Sequence, residues 1–175
     1  MPCLTSGTLI TTLRGEKPVE QLVPGDRVVT RDDGLQTVRS VRRRDFDYGQ
    51  LGSAPQMQPV LVTVGAVSRG LPERELLVSP SLRILTQTAD RDQLVAAGEM
   101  TDGHAIRTCS VLGVRYVHIG FDRDEVILAN GIWVEAFQLA ERQGDVPRAA
   151  QTEEYLELFA SGQDSETVVA RQDGI

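Results

Sequence analysis

At 175 residues, with 41% hydrophobic and 25% charged side chains, the chain reads as one soluble globular domain that can bury a core without disulfide staples. A formal net charge of -7 and a pI of about 4.9 argue against nucleic acid or an anionic membrane as a general partner, since either wants a cationic face. No stretch approaches the ~20 apolar residues of a membrane helix, and Met1-Pro2-Cys3 lacks the basic and apolar regions of a signal peptide, so a cytoplasmic location is the default expectation.

Taken in chain order, short β-type runs alternate with turn residues. Thr8 to Leu13 predicts a strand, Arg14-Gly15-Glu16 its turn, and Pro18 to Leu22 leads into the turn Val23-Pro24-Gly25-Asp26. Arg27 to Arg31 and Leu35 to Val41 predict a hairpin around Asp32-Asp33-Gly34. Residues 42–59 carry Gly49, Gly52, Pro55 and Pro59 with little periodicity and predict a surface excursion, with Arg42-Arg43-Arg44 as a solvated strand end. Further strands are expected at Val60 to Val64, Glu75 to Val78, Arg83 to Gln87, Asp92 to Ala97, Ala105 to Leu112, Val114 to Phe121, Glu125 to Leu128 and Ile132 to Phe137. Many short strands at roughly ten-residue spacing predict an all-β sandwich or barrel. Thr152 to Phe159 places Tyr155, Leu156 and Phe159 at helical spacing behind a Thr152 cap, and the residues beyond Ser161 are polar enough to predict disorder. The division expected is a β-domain over 1–140 and a C-terminal helix with a polar tail over 141–175.

Two cysteines, Cys3 and Cys109, cannot form a disulfide framework and lack the C-x-x-C spacing of a zinc or redox site; a single bridge between them is left open by the sequence. Cys109 sits in an apolar run and reads as a core residue. No phosphate-cradling glycine loop and no metal-ligand cluster is present, so neither cofactor nor metal is expected.

Three segments carry a specific pattern. The first is Cys3-Leu4-Thr5-Ser6-Gly7-Thr8-Leu9-Ile10 with Pro18-Val19-Glu20 and Gly25-Asp26-Arg27-Val28. The second is Leu76-Leu77-Val78-Ser79-Pro80-Ser81-Leu82-Arg83. The third runs from His118-Ile119-Gly120-Phe121-Asp122-Arg123-Asp124-Glu125 through Asn130-Gly131 to Phe137. In this order and spacing, over roughly residues 3 to 140, they resemble a bacterial Hint domain, the module shared by hedgehog C-terminal domains and inteins.

The resemblance implies an N-to-S acyl shift in which a cysteine thiol attacks the carbonyl just before it and a thioester replaces the amide. Such chemistry needs an activated thiol, an oxyanion donor and an acid for the departing amine. Cys3 matches the family nucleophile. Ser79 stands where relatives carry a hydroxyl near the scissile bond, although a strand-end serine before Pro80 accounts for it equally well. Leu82 and Asp124 occupy the places of the two family histidines, and leucine handles no proton, so the active site reads as degenerate and processing is expected to be impaired. His118, at the edge of the third segment, is a candidate acid or base if it faces Cys3; a satisfied strand histidine is the ordinary reading. Asp122 is a candidate support, but Asp122 to Glu125 as a group reads as a solvated turn, and His104 as a surface turn residue. Asn130-Gly131 resembles an internal turn and the chain continues past Phe137, so splicing is not expected. The substrate implied is the protein's own N-terminal segment in a longer precursor; if Met1 is the natural start, only two residues precede Cys3. The alternative is a degenerate Hint scaffold that serves an unknown protein partner in binding or assembly.

Overall fold

A computed structural model describes residues 2–137 and the backbone of 165–168. The boundary expected at 140 and the helix expected over 152–159 lie outside the described residues. In chain order the strands are β1 (Leu4–Thr5), β2 (Leu9–Thr12), β3 (Gly15–Pro18), β4 (Arg27–Val29), β5 (Leu35–Thr37), β6 (Ser40–Asp47), β7 (Val60–Val62) and β8 (Leu76–Val78). There follow β9 (Arg83–Thr88), β10 (Arg91–Ala96), β11 (Ile106–Thr108), β12 (Gly113–Gly120), β13 (Glu125–Ala129), β14 (Ile132–Ala136) and β15 (Ser165–Val168). Among the described residues an α-helix, α1 (Tyr48–Ser53), and three short 3-10 turns interrupt them.

The strands form two antiparallel sheets. One has the order β11-β7-β8-β1-β12-β6-β15, and the other β10-β9-β14-β13-β2-β4-β5 with β3 paired to β2. This is the all-β architecture expected from the strand spacing. The β13–β14 hairpin turns at Asn130 (φ 45°) and Gly131 (φ 85°), the two consecutive left-handed residues that a two-residue hairpin turn requires and that Asn-Gly supplies. The Asn130 side chain then ties three segments together. Its Oδ1 accepts the Leu9 amide at 2.8 Å and its Nδ2 donates to the Glu75 carbonyl at 3.1 Å.

Apolar side chains that alternate along the strands close a main core, among them Leu4, Ile10, Val28, Val41, Val78, Leu82, Ile84, Val117, Ile119, Phe121 and Val134. A second, smaller cluster lies apart from it: Cys3, Phe46, Leu51, Met57, Val114 and Tyr116. Strand β12 explains the division, because successive residues point to opposite faces. Val117 and Ile119 belong to the main core, whereas Val114 and Tyr116 belong to the small cluster.

Three expectations are corrected here. Residues 42–59 are no loose excursion. Arg42, Arg43 and Arg44 lie inside the eight-residue strand β6, paired with His118, Val117 and Tyr116, and the Arg43 guanidinium donates to the Glu20 and Leu22 carbonyls. Helix α1 is fixed by a capping box between Asp47 and Gln50 and buries Leu51, although two glycines hide any helical periodicity. Strand β15 occupies part of the tail expected to be disordered; the outer edge of β6 offers unpaired backbone groups, and a polar segment needs no apolar residues to satisfy them. Cys109 is half-buried beyond β11 rather than a core residue, and no disulfide joins it to Cys3.

Candidate functional site

The opening segment is locked between two strands. Leu4 pairs with Val78 of β8 on one side and Val117 of β12 on the other, and Thr5 adds a side-chain bond to the Leu77 carbonyl at 2.8 Å. One residue further back, the chain reaches Cys3 between Ser79 and His118. The Ser79 amide donates to the Cys3 carbonyl at 3.0 Å, and the Cys3 amide donates to Ser79 Oγ at 2.8 Å. His118 Nδ1 lies 3.1 Å from the Pro2 carbonyl oxygen. The peptide bond between Pro2 and Cys3 is thus gripped at both ends, its oxygen by His118 and its nitrogen by Ser79.

Burial sets the chemistry of these groups. Cys3 is 1% exposed, Ser79 1% and His118 3%. Burial, joined by the positive charge of Arg42 on the paired strand, pulls His118 down to about 4, against the opposing pull of the Pro2 carbonyl. The imidazole is therefore neutral at pH 7. A carbonyl oxygen can only accept, so the proton of this neutral ring sits on Nδ1 and is donated to Pro2 O. A neutral donor aimed at a carbonyl oxygen in a dry setting is suited to hold developing negative charge.

Cys3 shares its small apolar cluster with residues brought in by α1 and the segment after it. Leu51 of α1 and Met57 just beyond it pack in the cluster that contains Cys3, and the Tyr116 hydroxyl donates to the Met57 carbonyl at 2.7 Å. Phe46 meets the Tyr116 ring edge-on at 5.9 Å, and the Arg44 guanidinium stacks over Phe46 at 5.5 Å.

Of the residues expected from the sequence, Cys3, Ser79 and His118 come together at one peptide bond. Asp122 does not join them: its exposed carboxylate is held by Arg39 at 2.8 and 3.0 Å. Asp124 is exposed and His104 lies in an exposed turn. Glu125 departs from the solvated turn read for it. It is buried at the start of β13, and desolvation, with Asp33 nearby, pushes its carboxyl above the usual range.

Leu82 is also relocated by the structure. It is 1% exposed and packs in the main core, not in the cluster around Cys3. Leu82→His is therefore expected to leave a polar ring unpaired among apolar neighbours and to cost about 2 kcal/mol, read as a lower urea midpoint.

The sequence reading passed over Pro2, whose carbonyl defines the bond; Arg42, hidden in a run of arginines; and the apolar residues from α1 to Met57. Strand alternation on β6 would have placed Arg42 on the same face as Arg44 and Phe46, but only after Arg42 to Phe46 had been recognised as strand. Among the described residues no group of three or more His, Cys, Asp or Glu could hold a metal ion, and no helix is long and apolar enough to cross a membrane.

A family model for the Hint domain matches residues 2–141. No curated protein matches the chain. Among solved structures, the bacterial intein-like domain from Clostridium thermocellum is similar with a TM-score of 0.53 at 13% identity, over 77% of this chain and 97% of that one. The DnaB intein from Synechocystis sp. PCC 6803 is similar with a TM-score of 0.51 at 12% identity, over 78% of this chain and 99% of that one. At such identities the likeness bears on the fold alone.

Proposed function

The chain belongs to the Hint domain family, and from that premise we propose that it is a self-processing domain that breaks the peptide bond between Pro2 and Cys3 by an N-to-S acyl shift. The observation that carries this reading is the double grip on that bond, with His118 Nδ1 at 3.1 Å from its oxygen and Ser79 Oγ at 2.8 Å from its nitrogen. The substrate is the acyl segment that ends at Pro2, supplied by a longer precursor.

Cys3 Sγ loses its proton and bonds to the Pro2 carbonyl carbon. The carbonyl electrons move onto oxygen, where the His118 Nδ1–H holds them. When the carbonyl re-forms, the C–N bond breaks and its electron pair goes to the Cys3 nitrogen, which takes a proton and becomes a free amine. A thioester between Pro2 and Cys3 Sγ results, and the thiol proton lost at the start balances the one gained by nitrogen. His118 acts as an oxyanion donor, not as the base its residue type first suggests, because its Nδ1 proton is committed to the Pro2 oxygen and a ring pulled down to about 4 is a weak base. Asn130, whose side chain is committed to the Leu9 amide and the Glu75 carbonyl, favours cleavage or transfer over an asparagine-dependent splicing step.

The test is a reporter fused upstream of Pro2-Cys3 and incubated with a small thiol near pH 7.5. Release of the reporter as a thioester ending at Pro2 is expected. A folded fusion that stays intact would remove the processing reading and leave a Hint scaffold for binding or assembly.

A further inference from the structure

The departing amine needs a proton, and Leu82, which stands at the place of a family histidine, handles none and is packed in the main core. Ser79 stands at the nitrogen, but it is 1% exposed, and a buried serine that gives up its proton must be resupplied at once. Ser79 Oγ lies 3.4 Å from Ser81 Oγ, and Ser81 is half-buried, between the sealed bond and the surface.

The local fold keeps the two hydroxyls together. Ser79 to Leu82 form a turn closed by the Leu82 amide on the Ser79 carbonyl at 3.0 Å, with Pro80 fixing the first corner. The Gly98 amide holds the Pro80 carbonyl at 2.8 Å, and a Cβ at Gly98 would stand 3.2 Å from Pro80, so the neighbouring backbone is pressed against the turn. A separation of 3.4 Å is long for a hydroxyl pair, as catalytic hydrogen bonds often are before the reacting state is reached.

We propose that Ser79 and Ser81 form a two-hydroxyl proton relay to the Cys3 nitrogen, with Ser81 as the positioning residue that resupplies Ser79 from solvent. The proposal rests on the processing reading above. As the C–N bond breaks, nitrogen takes the Ser79 Oγ proton, Ser79 takes the Ser81 proton, and Ser81 takes one from water. The proton given up by the Cys3 thiol balances the count, and no redox partner is involved. The relay supplies the function for which Leu82 has no chemistry.

The test uses the reporter fusion and compares wild type with Ser81→Ala and Ser81→Thr. Ser81→Ala is expected to slow thiol-dependent cleavage by about ten- to a hundredfold, at or below the lower end of what a positioned proton donor contributes. Its rate is expected to climb with the concentration of a small buffer acid such as imidazolium, while wild type and Ser81→Thr stay fast and insensitive to buffer. Cleavage of Ser81→Ala at the wild-type rate would overturn the relay and leave the processing reading standing. So would a slow Ser81→Ala that neither buffer acid nor threonine restores, since that pattern marks a structural role. An inert wild-type fusion would overturn both.

Discussion

A fusion carrying His118→Phe is expected to form its thioester roughly 10²–10³-fold more slowly than wild type, the effect of removing one oxyanion donor from a dry site. Phenylalanine keeps a planar ring opposite Arg42 on β6 while the Nδ1–H is lost. The rate of thiol-dependent reporter release near pH 7.5, well above the value of about 4 to which His118 is pulled, reads this term without interference from its titration. A variant within about threefold of wild type would mean that the Pro2 oxygen is stabilised by something else, since one lost donor at such a site costs far more than that.

The second expected effect concerns stability in acid. His118 binds a proton near 6.5 in the unfolded chain and near 4 when buried, so the unfolded state takes up the proton first as pH falls. Stability from the neutral ring is fully present above pH 6.5 and is lost as pH drops toward 4, on the order of 3 kcal/mol in all at 1.36 kcal/mol per pKa unit. Other groups add their own slopes. Asp26 lies below its ordinary value: burial opposes this, while the Lys17 hydrogen bond and the Val23 amide lower it. Asp45 is lowered by Arg115. Both lose stability only at still lower pH. Glu125 is raised by desolvation, so the folded state binds its proton first and stability rises as pH falls through that window, opposing His118. The comparison is therefore made between urea unfolding of wild type and of His118→Phe at pH 7 and at pH 4.5. Wild type is expected to lose more stability than the variant between these values; equal losses would mean that the ring is not buried neutral.

Most of the fold is legible from period-2 alternation and turn residues. The hairpin around Asp32-Asp33-Gly34, the Asn130-Gly131 turn and the long run opposite β6 stand nearly where their patterns put them. The segment from Arg42 to Met57 is not legible, because three arginines mask a strand interior and Gly49 and Gly52 mask a short helix. Its role depends on neighbours far away in sequence, since Leu51 and Met57 share an apolar cluster with Cys3. The site divides the same way. Cys3 and Ser79 stand out by their surrounding residues, whereas the direction of His118 follows from the register of β1 on β12. Which face Leu82 presents depends on how the turn at Pro80 closes. Asp122 carries a promising residue type in a promising segment, but Arg39 claims its carboxylate.

The most direct measurement is the mass of the products when the reporter fusion meets hydroxylamine at neutral pH. A thioester at Cys3 predicts a reporter hydroxamate ending at Pro2 and a domain that begins with a free Cys3 amine, with neither product from Cys3→Ala. An intact wild-type fusion, or the same cleavage from Cys3→Ala, would contradict it.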